Sequence, residues 1–165
     1  MMRRKFSFLV IAGLMMTQTA SATSIKSDAV GSWKLISYTS TAADGVSKQN
    51  FGETPNGVAS FDDKGNFMIT IVRSNLPKFA ENNREKGTPE ENQAVVRGTI
   101  AYFGTYTISE TESSLIFKIE GATLPNWIGT TQKRGFSMPS SDELNLINAV
   151  ASGGGSAEIK WKRTP

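Results

Sequence analysis

From Trp33 onward the chain is a succession of short segments in which apolar and polar residues alternate with a period of two, separated by Asp, Asn, Gly and Pro. Side chains two apart lie on the same face of an extended strand, so each segment buries one face and wets the other. Eight such segments are present: 33–41, 58–61, 66–73, 99–109, 114–123, 129–138, 143–148 and 156–163. Turn residues stand between them, with Asp44-Gly45 after the first, Asp62-Asp63-Lys64-Gly65 between the second and third, and Gly153-Gly154-Gly155 before the last. The spacing predicts an all-β fold, an antiparallel up-and-down β-barrel of about eight strands.

One stretch breaks the pattern. Residues 75–98 are polar and carry no strand signal, and within them Thr88-Pro89-Glu90-Glu91 combines an N-cap, a first-turn proline and a capping-box glutamate. A short helix over 89–97 is expected there. A long insertion of this kind is typical of functional loops, and we expect it to form a lid over one barrel mouth, with Phe79 plugging the apolar opening and Lys78 and Arg84 meeting a polar or anionic part of a ligand.

The N-terminus is organised differently. Arg3, Arg4 and Lys5 precede an apolar run over 6–16, and Ala20-Ser21-Ala22 offers small residues for cleavage. This layout predicts a signal peptide over 1–22, because the run is well short of the roughly 20 residues that span a bilayer. Residues 23–165 then form one domain, periplasmic or secreted. With no cysteine the chain has neither a disulfide nor a lipid-attachment site, so no stable membrane anchor is expected and packing must supply the stability. The signal holds three of the 18 basic residues, leaving 15 against 15 acidic ones. A neutral domain argues against nucleic acid as a partner, since polyanion binding needs a dominant basic patch, and a monomer is expected.

Four motifs carry a resemblance: GSWKL at 31–35, LPKF at 76–79, IAYFGTY at 100–106 and LPNWIGTTQKR at 124–134. Together they resemble the bacterial lipocalin-like domain family over nearly the whole of 23–165. The resemblance implies a calycin-type barrel and no assigned catalytic residues. The helix-containing insertion departs from lipocalins proper, so their ligand geometry does not transfer simply.

The interior follows from the register that aligns apolar faces on neighbouring strands, since a one-residue slip turns every side chain around. Ile108, Tyr106 and Gly104 should face Leu115, Phe117 and Ile119, which in turn face Phe136, Arg134 and Gln132. That parity turns Tyr102, Tyr106, Phe117, Gln132, Arg134 and Phe136 inward and Lys118, Glu120 and Lys133 outward. A guanidinium inside an apolar barrel needs a partner. Either Arg134 or Arg163 packs on Trp33 to close the barrel end, or Arg134 meets a ligand. The tyrosines likewise are either core aromatics with a satisfied hydroxyl or ligand contacts.

The reading that follows is binding of a small, largely apolar molecule, hydrophobic or amphipathic and anionic-headed, by Tyr102, Tyr106, Phe117, Gln132, Arg134, Phe136, Phe79 and Lys78. Two alternatives stand beside it. An isomerase, cyclase or hydratase would need Tyr and Arg to stabilise an enolate or oxyanion, with Glu81 or Glu85 as base; a cell-envelope interaction module would have a filled barrel. Without histidine or cysteine, zinc, haem and iron–sulfur sites have little to hold them, so no metal and no cofactor are expected. Asp62-Asp63-Lys64-Gly65-Asn66 reads as a hairpin turn and not as a calcium loop.

Overall fold

The computed structural model describes residues 28–151 and 154–165; the signal peptide expected over 1–22 lies outside the described residues. The strands are β1 Gly31–Thr41, β2 Ser47–Lys48, β3 Asn56–Phe61, β4 Asn66–Val72, β5 Thr99–Ser109, β6 Ser114–Ala122, β7 Thr131–Ser140, β8 Glu143–Asn148 and β9 Ser156–Arg163. All except β2 form one antiparallel meander, in the order β1-β3-β4-β5-β6-β7-β8-β9, and β9 pairs back onto β1. Eight strands therefore close into a barrel, and closure removes the unpaired edges that an open sheet would expose. The two-residue β2 extends the end of β1 through Ser40↔Lys48 and Thr41↔Ser47.

The expected β5–β6 register is observed, with Ile108↔Leu115, Tyr106↔Phe117 and Gly104↔Ile119. The β6–β7 register differs from expectation by two residues: Leu115 faces Arg134 and Phe117 faces Gln132. The cause is the connection, where Pro125–Trp127 form a 3-10 turn and the chain re-enters the ladder through Ile119 N–H to Thr130 O and Gly129 N–H to Ile119 O. A shift of two preserves the parity. Arg134, Phe136, Phe117, Tyr102 and Tyr106 are buried and Gln132 is half-buried, while Lys118, Glu120 and Lys133 are exposed.

One end of the barrel is sealed. Trp33 is fully buried, its Nε1 donates to Ala29 O at 3.0 Å, and the Arg163 guanidinium lies 4.2 Å from its ring centre. Arg163 also donates to the carbonyls of Asp28, Val30 and Ser141. Of the two arginines considered for this latch it is Arg163, on the closing strand, that fills it. Above Trp33 an edge-to-face aromatic column rises through the core: Phe61 on Tyr106 at 5.2 Å, Phe67 on Phe117 at 4.5 Å, Phe67 on Tyr102 at 5.7 Å and Tyr102 on Trp127 at 5.3 Å. Such contacts add about 0.5–1.5 kcal/mol each beyond area burial.

The insertion runs from β4 to β5 and contains the 3-10 turn Arg84–Lys86 and the helix α1, Pro89–Gly98. The capping box forms as its residues dictate, with Glu91 N–H on Thr88 Oγ1 and Thr88 N–H on Glu91 Oε2. Glu91 Oε1 also accepts from Ala80 N–H at 2.8 Å, tying the loop to the helix start. Gly98 ends the helix against Leu76, where a Cβ would come within 2.6 Å of Leu76 Cδ2.

Candidate functional site

Opposite the sealed pole the barrel is open. Strict alternation along β1 from Trp33 and Leu35 would turn Tyr38 outward, but a bulge between Leu35 and Ser37 inserts one residue and brings Tyr38 inside. Phe51, from the loop after β2, packs edge-on against it at 4.9 Å. With Val95 and Val96 of α1, Ile100 at the start of β5, and Leu124 and Trp127 of the β6–β7 connection, they line a cavity of about 700 Å³. That volume lies in the ordinary range for small-molecule sites. The insertion thus reaches the mouth, through the last turns of α1.

The charged side chains on this cavity wall are Lys48, Arg73 and Arg97; no carboxylate among the described residues lines it. Arg73 Nε and Nη2 hold Asn50 O at 3.2 and 2.6 Å, which fixes the loop bearing Phe51. Towards the core lies Arg134, 8 % exposed. It donates to Lys133 O at 3.3 Å and to Gln132 Oε1, and none of the ion pairs among the described residues includes it. Burial lowers its pKa, and the neighbouring phenols of Tyr102 and Tyr38 act in the opposite sense. A guanidinium has five N–H donors and stays charged at neutral pH, so hydrogen-bonding capacity remains. The Tyr38 and Tyr102 hydroxyls make no hydrogen bond among the described residues, and burial pushes the Tyr102 phenol up to about 12, keeping it a neutral donor. Of these three, Tyr38 alone is on the wall of the mouth cavity; the charge of Arg134 lies close enough to act on both phenols.

The residues singled out from the sequence are not all brought together. Arg134, Gln132 and Tyr102 cluster below the mouth. Tyr106 lies near the sealed end, where its hydroxyl donates to Asp62 O at 2.9 Å, and Phe117 and Phe136 belong to the packed core. Phe79 packs inside the insertion against Gly87, and Lys78 is exposed; neither lines the cavity, and α1 supplies Val95, Val96 and Arg97 in their place. Glu81 and Glu85, the carboxylates considered as bases, are exposed and also away from its wall. Tyr38, Phe51 and Trp127 escaped sequence reasoning. The first was hidden by the bulge; for the other two, a lone large aromatic in a polar connection was the available signal. Among the described residues no group of three or more carboxylate, histidine or cysteine side chains is placed to hold a metal ion.

A closed antiparallel barrel, sealed at one pole and hollow at the other, defines a class of small-molecule container. The lipocalin-like domain model matches residues 30–164, and the chain belongs to that family. It is similar to a 4'-hydroxy-3'-methoxypropiophenone carrier protein of Aspergillus oryzae, 36 % identical over 70 residues, a stretch covering 39 % of this chain and 63 % of the relative. Two solved designed barrels are also similar: a redesigned β-barrel (14 % identity, TM-score 0.46, 88 % of this chain and 100 % of that one) and a de novo fluorescence-activating β-barrel (12 %, 0.40, 82 % and 93 %).

Proposed function

We propose that the protein is an exported carrier that holds a small, largely apolar molecule bearing an anionic or strongly accepting group. The observation that carries this reading is the mouth cavity of about 700 Å³, whose wall joins aromatic, aliphatic and neutral polar side chains to the cations Lys48, Arg73 and Arg97, with no carboxylate among the described residues. Family membership and the likeness to a carrier point to small-molecule binding in general. The cargo named for that relative is a phenolic aryl ketone, flat, mostly apolar and rich in acceptors, and a molecule of this kind suits a wall made of Tyr38, Phe51 and Trp127. Apolar burial supplies most of the affinity, at about 25 cal/mol per Å², and Tyr38 on the wall and Arg134 beyond it orient the guest. Export rests on the basic, apolar and small-residue order of residues 1–22.

The test is a native mass spectrum of protein purified from its own cells, set beside the denatured mass. A small-molecule adduct lost on denaturation, on a polypeptide beginning at Thr23, is the expected result. An empty barrel that also refuses hydrophobic probes ends the carrier reading. Arg134→Met keeps bulk and removes charge, so it should weaken a carboxylate ligand by about 1.5–3 kcal/mol and a neutral analogue much less; equal losses for both would make Arg134 a purely structural residue.

A further inference from the structure

A second cavity, of about 340 Å³, adjoins the first, sharing Trp127 and Ala151 with it. It lies at a seam in the barrel wall. The β7–β8 ladder begins only at Gly135↔Ile147, whereas β7 is already paired to β6 from Thr131 onward. Residues 131–134 therefore have a ladder partner on one side alone. Beyond Asn148 the chain turns away towards β9, with Gly154 N–H on Ala151 O and Ala151 N–H on Gly155 O. One lip of the seam is Gln132, Lys133 and Arg134, the other Asn148, Ala149 and Val150. No carboxylate among the described residues lines it.

Arg134 stands between the two compartments, lining the seam while its charge acts on Tyr38 and Tyr102. We infer that the seam is a second binding compartment, which takes the anionic end of an amphipathic ligand while the apolar body lies in the mouth. This rests on the mouth being the carrier site. An anion held at an opening keeps part of its hydration, which avoids the large cost of burying a charge completely, and it still meets the Arg134 cation and the Asn148 amide, while the Lys133 ammonium is held by Glu112 at 3.0 Å. The ligand class is thus an aryl or alkyl sulfonate, carboxylate or phosphomonoester. Because the seam opens outward, the charged end is selected for its sign more than for its size.

Two fluorescent probes separate the compartments. 8-Anilinonaphthalene-1-sulfonate and the uncharged N-phenyl-1-naphthylamine share one apolar body and differ by the sulfonate. The sulfonate should bind the wild-type protein about tenfold or more tightly than its neutral counterpart, the worth of a charge-assisted contact. Ala149 is exposed on the lip, so Ala149→Trp fills the seam and leaves the mouth wall intact. It should cost the sulfonate about tenfold and change the neutral probe less than about twofold. Arg134→Met should do the same; if that variant does not fold, Ala149→Trp with both probes decides alone. Sulfonate affinity that survives Ala149→Trp places the anionic end in the mouth and overturns the inference while the carrier reading stands. Failure of wild-type protein to bind either probe overturns the carrier reading and this inference with it.

Discussion

Trp33 shows how one side chain fixes an end of the barrel. It is fully buried, with its indole N–H on Ala29 O and its face under Arg163. Trp33→Ala removes the largest plug of the sealed pole and leaves Arg163 without its ring, so chemical denaturation should report a loss of about 3–5 kcal/mol. A loss below about 1 kcal/mol would mean that the pole closes without it. Tyr102 supplies a pH prediction. Its phenol is neutral in both states below the ordinary value of 10.0, but between there and about 12 the unfolded chain ionises it while burial keeps the folded chain protonated. Stability is therefore complete below pH 10 and declines above it, by up to about 1.4 kcal/mol per pH unit from this group. Thermal midpoints measured from pH 9 to 12 should fall less steeply in Tyr102→Phe than in the wild type; parallel curves would show that the buried phenol does not govern the alkaline limb.

At the scale of elements, most of the architecture was legible because one rule, period-two alternation, holds along most of each barrel strand and is interrupted only at register shifts in the β1–β9, β5–β6 and β7–β8 pairings among the described residues. The helix was legible for another local reason, since Thr88, Pro89 and Glu91 satisfy its first N–H groups or do without them. What escaped was produced by irregularity. The bulge in β1 reversed the parity that carries Tyr38 inward, and the 3-10 turn at Pro125–Trp127 moved the β6–β7 register by two. Neither leaves a mark in composition, because a bulge is an inserted residue and not a residue type. The candidate site was therefore read in part: Arg134, Gln132 and Tyr102 from strand parity, but not the aromatic wall, which is built from the irregular places. Gly104 marks another irregularity. It sits at the β5–β6 register shift with φ +156, and a Cβ there would collide with the Lys118 carbonyl oxygen. Gly104→Ala must shift backbone, so a cost of about 1–3 kcal/mol is expected in equilibrium unfolding. An unchanged midpoint would show that the ladder relaxes freely around it.

At the scale of the molecule, closure through β1 and β9 joins the first and last strands, and the aromatic column links the sealed pole to the mouth. Unfolding should accordingly be a single transition, with tryptophan fluorescence and far-ultraviolet circular dichroism coincident in urea; separated midpoints would mean that the mouth melts on its own. The two halves of the barrel divide the work, packing below and volume above. The latch at the sealed pole has one more consequence, for presentation. Arg163 donates to the carbonyls of Asp28 and Val30, and Thr164 holds Ser32 O at 2.8 Å, so the polypeptide enters and leaves the barrel side by side, at the pole away from the cavity. A spacer that fuses these neighbouring points would close the chain into a ring at little geometric expense, and new termini cut into the exposed turn at Asp44-Gly45 would lie beside the mouth. A tether attached at the original pole points the cavity outward from any support, whereas one attached at the permuted termini brings it face down, which makes the two constructions opposite orientations of one container.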